Sequence, residues 1–402
     1  LGLPWLIPFS LGLAMLACLA EVVLGFAVLV GGRMKLATWS LLLLTLFFGW
    51  LTAYTATCDP QAKYEAVVNG AKVMRDVTCV TDCGCFGDAV KGSLGRPMTP
   101  WESFSKDMVL LVFVLPLFIF RKRIGFNTWG DDLAVLPIAM LLLAFYCWVF
   151  AWWFPLALAI AVLAVYLLIK RFIEPPRAEW ITAAWVAAVA LAFMWHCYAH
   201  LPMRDYRPYA IGKNIAEEKT MERAPVQDIF VTYKNKKTGE SKEFDSKGAY
   251  PWDDSSWIYV DRRIEVIKRG IDSPVKDFLL TDRDGNDVTE EVLNSDKPVL
   301  LVVAKTIGDT RTGCQPAINA LAAQAEKEGW SVYGLTSSAY NEVEDFRHAH
   351  DNMYDYLTCD EVTLKTMVRS NPGLVLLQHG TVRGKWHCND VPDLEKARRA
   401  LK

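Results

Sequence analysis

The residues most able to do chemistry in this chain are its ten cysteines. Cys58, Cys79, Cys83 and Cys85 fall within 28 residues, too dense for chance packing. Three chemistries fit them. As metal ligands, the C-x3-C-x-C run lacks the usual C-x2-C pair and has no histidine nearby. As a structural loop in an oxidising compartment, the four cysteines pair in one of three connectivities. As a redox relay, a disulfide at a membrane surface exchanges electrons with a partner thiol. Cys83 and Cys85, separated only by Gly84, would close a strained ring, and strained disulfides are more oxidising and more labile.

Cys314 opens a second candidate, Cys314-Gln315-Pro316-Ala317, at the start of an amphipathic segment. A cysteine at a helix N-terminus has its thiolate stabilised by backbone dipoles. Cys18, Cys147 and Cys197 lie in or near apolar segments and read as packing residues. Glu21 lies in the middle of an apolar run, where a carboxylate is costly. It reads as a proton- or quinone-site residue, or as a buried contact with a Trp, a Thr or a backbone group. The second is favoured, because no intramembrane Lys or Arg completes a relay. His348-x-His350 lacks the i, i+4 spacing of a metal pair and reads as solvated. His387-Cys388 offers two ligands, which do not make a site. Asp282–Asp287 lacks the spacing to a bidentate Glu and reads as a turn rather than a calcium loop. No metal site is expected.

The elements that must hold these residues divide sharply. The first 200 residues carry 26 charged side chains and the remaining 202 carry 62. The chain is therefore expected to join a membrane half to a soluble half. A net charge of −2 argues against a dedicated nucleic-acid binder. Apolar runs predict spans over 3–31, 36–57, 105–120, 133–153, 155–170 and 180–196. The stretch 133–170 would be roughly 57 Å long as one helix. Trp152-Trp153-Phe154-Pro155 near its middle predicts a break into two spans. The competing reading is a single kinked segment. Basic clusters at Arg33/Lys35, Arg121–Arg123 and Lys170/Arg171/Arg177 fall on one side of this six-span arrangement. By the positive-inside rule that side is cytoplasmic. The 58–85 loop and everything after His200 are then expected outside, in the periplasm of a bacterial inner membrane. Span parity, with Leu1 first, predicts a further helix upstream.

The stretch Ala20–Arg33 resembles the second helix of DoxX-like membrane proteins. Cys83-Gly84-Cys85-Phe86-Gly87, followed by Trp101–Asp107 entering a helix, is similar to the MauE branch of that group. The resemblance covers roughly residues 1–125, and with its long extension the chain resembles a Bacteroidota-type subgroup. It implies a four-helix core whose first helix lies upstream, a role in disulfide formation for periplasmic proteins, and by analogy a quinone acceptor. Residues 126–200 then form additional membrane helices.

In the soluble half, 201–271 reads as a linker and a small β-rich segment. Ile229–Tyr233 and Lys242–Phe244 form a hairpin, and Trp257–Val260 adds a strand. From residue 272 to 402 the pattern is β–turn–β–α–β–α–β–β–α, with strands at 275–281, 298–304, 331–336, 374–377 and 383–386. This order resembles the thioredoxin-like fold, nearest to TlpA-type periplasmic domains. The resemblance aligns Cys314 with the first cysteine of that family's C-x-x-C and Pro372 with its neighbouring, often cis, proline. Ala317 replaces the second cysteine, so resolution would need Cys359, Cys388 or a membrane-loop thiol. The fold class expected is thus an all-α polytopic bundle plus an α/β thioredoxin-like domain. Two functions follow. One is a membrane thiol–disulfide oxidoreductase working through Cys58, Cys79, Cys83, Cys85 and Cys314, with Glu21 and Pro372 in support and a periplasmic protein as client. The other is a non-catalytic envelope scaffold whose degenerate domain binds a partner protein.

Overall fold

The computed structural model describes residues 8–59, 63–68, 71–77, 79, 98–219, 226–268, 273, 275 and 278–402. It divides into two compact units, Leu1–Arg207 and Pro208–Lys402.

The first unit contains six helices long and apolar enough to cross a membrane. They are α1 (Ser10–Leu29), α2 (Met34–Ala56), α3 (Pro100–Phe120), α4 (Trp129–Val149), α5 (Phe154–Phe172) and α6 (Arg177–Ala199). Between α2 and α3, β1 (Lys63–Val68) and β2 (Ala71–Asp76) form an antiparallel hairpin. The third span starts at Pro100, ahead of its expected start near 105. Thr99 accepts from the Glu102 N–H, Glu102 returns the bond, and Pro100 sits in the first turn. The break in 133–170 occurs where Ala151 turns left-handed at φ 49°. The Trp152 N–H then reaches back to the Cys147 carbonyl at 2.9 Å, closing the end of α4. Pro155 lies in the first turn of α5.

Polar side chains tie the apolar helices together. The Thr52 hydroxyl of α2 donates to the buried Asp107 carboxylate of α3 at 2.9 Å. Asn127, before α4, donates its backbone N–H to the Val30 carbonyl at 2.9 Å and its amide to Leu29 at 3.1 Å. Those are carbonyls that the end of α1 leaves without helical partners. The same amide donates to Asp132 at 2.9 Å. Asp132 also accepts from Tyr166 and pairs with Lys170, both of α5. Lys170, one of the basic residues that flank the spans, has a side chain only 7% exposed. Two other expectations are corrected here. Cys18 and Glu21 are both exposed along α1, so neither is a buried packing residue. The interior side of α1 is given instead by Phe26, Leu29 and Val30, which pack with Tyr166 and Leu163.

The second unit carries two sheets. In the smaller, β3 (Val226–Asn235) pairs with both β4 (Ser241–Asp245) and β5 (Trp257–Lys268), all antiparallel. The expected hairpin is present, and its third strand runs eight residues beyond Val260. Tyr233, Phe244, Trp257 and Tyr259 meet edge to face across it.

The larger sheet has the order β10-β9-β6-β7-β8. Here β6 (Val299–Val303), β7 (Ser331–Thr336) and β8 (Asp355–Thr358) are parallel. β9 (Gly373–Gln378) runs antiparallel to β6, and β10 (Thr381–His387) antiparallel to β9. Helices α9 (Gln315–Lys327), α10 (Tyr340–His350), α11 (Glu361–Met367) and α12 (Leu394–Ala400) connect or follow these strands; short helices α7 (Ile215–Lys219) and α8 (Thr289–Leu293) precede them. This is a thioredoxin-like arrangement. Leu300, Val302, Leu374 and Leu376 pack against Ile318, Leu321 and Ala322 of α9, consistent with buried strands written as unbroken apolar runs.

Two expectations fail at the margins of this sheet. The strand expected at 275–281 is absent among the described residues there; Thr281 makes only isolated bridges to Asp287 and Thr358. Strand β8 went unread because only Leu357 of its four residues is buried, which leaves no alternation to detect. The 282–287 turn holds as expected. The Asp282 carboxylate accepts the N–H groups of Asp284 and Asn286 and the Asn286 amide. These bonds, led by the Asn286 side chain, hold its pKa below the ordinary range.

Candidate functional site: a disulfide at the start of a helix

Strand β6 delivers the chain to a turn that ends at Cys314, the N-cap of α9. Pro316 falls in the first turn of that helix, where its missing N–H costs no bond. At one edge of the sheet, β10 ends at His387, opposite Gly373 in register. Cys388 follows immediately. The two cysteines form a disulfide with Cα atoms 5.6 Å apart, although 74 positions separate them in sequence.

The surrounding backbone is laced to the loop that carries Pro372, whose peptide bond is cis. The Ser370 hydroxyl accepts the Cys388 N–H at 3.0 Å and donates to the Pro372 carbonyl at 2.5 Å. The Arg311 N–H donates to the Asn371 carbonyl at 3.0 Å. The Asn371 side chain accepts from the Lys305 N–H at 2.8 Å and donates to the Thr306 carbonyl at 3.2 Å. Cys314, Cys388 and Pro372 are thus held together by three separate segments.

Both cysteines are mostly buried, yet a depression of about 400 Å³ opens beside them. Arg311, Gly313, Cys314, Ala317, Cys388 and Asn389 line it together with Val391. On reduction, the start of α9 favours negative charge on the Cys314 sulfur. Cys388, rather than a residue at position 317, is the cysteine held beside Cys314.

Of the three resolving thiols considered from sequence, Cys388 is the one beside Cys314. Cys359 is buried, and burial pushes its thiol up to about 12, which makes it a poor nucleophile near neutral pH. Sequence reasoning named Cys388 among three candidates but could not choose it, because nothing local ties position 388 to position 314. The usable signal was the tight Gly380 turn, which folds β10 back along β9 and brings its end to Pro372. The His387 ring accepts the Asn389 N–H at 3.0 Å through Nδ1, and Cys388 is committed to the disulfide. The His348 side chain is solvent-exposed as expected, but His350 packs on Phe346 with ring centroids 4.6 Å apart.

In the first unit, Cys58 and Cys79 form a disulfide across 21 positions, with Cα atoms 5.8 Å apart. Cys58 follows the end of α2 directly. Cys83 and Cys85 lie outside the described residues. Cys147 is a buried thiol, and Cys197 is half-buried.

A family model described only as a domain of unknown function, DUF8463, matches residues 229–269, the three-stranded sheet. No curated protein matches the chain. Among solved structures, a thioredoxin-like protein from Aeropyrum pernix matches at 16% identity and TM-score 0.26, over 31% of this chain and 88% of its own. The thioredoxin domain of a thiol-disulfide oxidoreductase from Bacteroides vulgatus matches at 13% and 0.27, over 32% and 95%. A thiol:disulfide interchange protein from Bacteroides sp. matches at 14% and 0.23, over 27% and 75%.

Proposed function

We propose that this chain is a membrane-bound thiol–disulfide oxidoreductase whose soluble redox pair is Cys314–Cys388. The carrying observation is that disulfide, set at the start of α9 and lining a surface depression. In the exchange, two client thiols reduce the disulfide. The client gains an S–S bond, the Cys314–Cys388 bond breaks, and two protons pass to the new thiols. The reverse reaction reduces a client disulfide with the same balance. The Cys58–Cys79 bridge, together with the Cys83-Gly84-Cys85 motif, is the corresponding pair set at the membrane.

The finer reading follows from the resemblance and the charge pattern. The membrane part belongs to a DoxX/MauE-like group, sits in a bacterial inner membrane, and presents its cysteine loop and soluble unit to the periplasm. Lipid surrounds the bundle, and a periplasmic protein is the client. A quinone as terminal acceptor rests on the resemblance alone.

The scaffold reading keeps one observation, the alanine at position 317. Mass spectrometry of the full chain under graded reduction separates the two. A redox role expects Cys314–Cys388 to open in a range accessible to cellular thiols. A bridge that stays closed until roughly −300 mV, the range of structural disulfides, supports the scaffold instead.

A further inference from the structure

Arg311 is the residue that brings charge to the disulfide. Its backbone is fixed on two sides. Its N–H donates to the Asn371 carbonyl at 3.0 Å, in the loop of cis-Pro372. Its carbonyl oxygen lies 3.8 Å from the Cys314 sulfur. The depression lined by Cys314 and Cys388 is also lined by Arg311, and every other residue of that lining is uncharged.

Arg311 itself is exposed. Among the described residues, no carboxylate is paired with its guanidinium. Asp309, two positions earlier, accepts from the Thr306 hydroxyl at 3.2 Å. Asp390, beyond Cys388, makes contacts of its own and does not line the depression. A positive charge that no local acid neutralises therefore stands at the surface where a client meets the disulfide. A guanidinium keeps its charge at any working pH and offers a planar fork of donors. A carboxylate on the approaching chain is its complement. Charge matching of this kind acts chiefly on the rate of encounter and on the choice of partner.

We propose that Arg311 selects clients that carry a carboxylate beside the reacting cysteine. This rests on the redox reading above and names its substrate class, an acidic cysteine-bearing segment. In the exchange, two client thiols close an S–S bond and pass two electrons to the Cys314–Cys388 bond, which opens. The two thiol protons end on Cys314 and Cys388.

The test uses the oxidised full-length chain in an uncharged detergent. The probes are synthetic dithiol peptides, alike except that Asp, Asn or Lys flanks each cysteine. Opening of Cys314–Cys388 is followed by acid quench, alkylation and mass spectrometry, which separates it from the Cys58–Cys79 bridge. Each rate is divided by the same peptide's rate with hydroxyethyl disulfide, which is uncharged, because flanking charges also alter the peptide thiols. At low salt the wild type should favour the Asp peptide over the Lys peptide by about fivefold, the scale of an exposed ion pair. Arg311→Gln should bring that ratio close to unity, and Arg311→Glu should invert it. Where neither variant folds, salt decides. The wild-type preference should vanish at about 1 M salt, where screening acts within ~3 Å. Equal normalised rates in the wild type, a preference that survives in Arg311→Glu, or one indifferent to salt overturns this inference alone. A Cys314–Cys388 pair that opens with none of the peptides overturns the redox reading and this one together.

Discussion

Cys314 and Cys388 are joined across the larger sheet, the first at the start of a helix and the second just past the end of the last strand. Neither lies in a C-x-x-C motif. The second thiol has been supplied from the strand side, where the cis-Pro372 loop also sits.

This division of labour predicts how single-cysteine variants behave. Cys388→Ala should accumulate mixed disulfides through Cys314, because the resolving thiol is gone. Cys314→Ala should trap far less, since Cys388 lacks the helix N-terminus that stabilises a thiolate. Non-reducing electrophoresis of membranes from cells expressing each variant reads the difference. Equal trapping by both would count against the assigned roles.

Ser370 should couple the proline loop to the disulfide. Its hydroxyl bridges the Cys388 N–H and the Pro372 carbonyl, and Ser370→Ala leaves that buried N–H without its acceptor. The expected loss is about 1–3 kcal/mol in chemical denaturation of the soluble unit's signal. A loss near zero would mean the loop is held by other contacts.

Cys359 should be silent. Burial raises its thiol from 9.0 to about 12. A thiol with a raised folded pKa contributes fully below the unfolded value, and that contribution is lost as pH climbs toward 12. Iodoacetamide at pH 8 should therefore leave Cys359 unmodified in the native chain and modify it once the chain is unfolded. Peptide mapping checks both states.

In the bundle, Asp132 and Lys170 should behave as a unit. Both side chains are nearly fully buried, and they pair with each other. Removing one partner strands a buried charge, so Asp132→Asn or Lys170→Met should each cost about 3–5 kcal/mol. The double variant should cost less than the two singles combined. Thermal unfolding in detergent measures the cycle, and additive losses would argue against the pair.

Gly31 marks a backbone crossing. Its φ is +68°, and a Cβ there would lie 2.0 Å from the Gly125 carbonyl oxygen. Gly31→Ala should lose more than about 1 kcal/mol, since both the conformation and the approach exclude a side chain. Gly25, with open space around it, should tolerate alanine with little change in the same thermal assay.

Much of this architecture is local and so legible in the residues alone. Continuous apolar runs with basic flanks mark the six spans, because a bilayer core demands about 20 apolar residues whatever the rest of the chain does. The Trp-Trp-Phe-Pro break, the Asp282 turn and the apolar runs of β6 and β9 are equally local. They depend on a proline's ring, a carboxylate's reach or a two-sided burial.

What the tertiary structure decided is pairing over distance. Lys170 reads as one basic flanking residue among several until Asp132 is brought to it from 38 positions away. Glu21 and Cys18 read as buried until the packing of α1 leaves their side exposed. Cys314 reads as a thiol with three candidate resolvers until the β9–β10 turn returns Cys388 to its side. Spacing along a chain carries the period of a helix or strand, but which two distant side chains meet depends on sheet order and register. The sequence therefore determined the spans, the strands and the cysteine at the helix start. The fold alone chose that cysteine's partner.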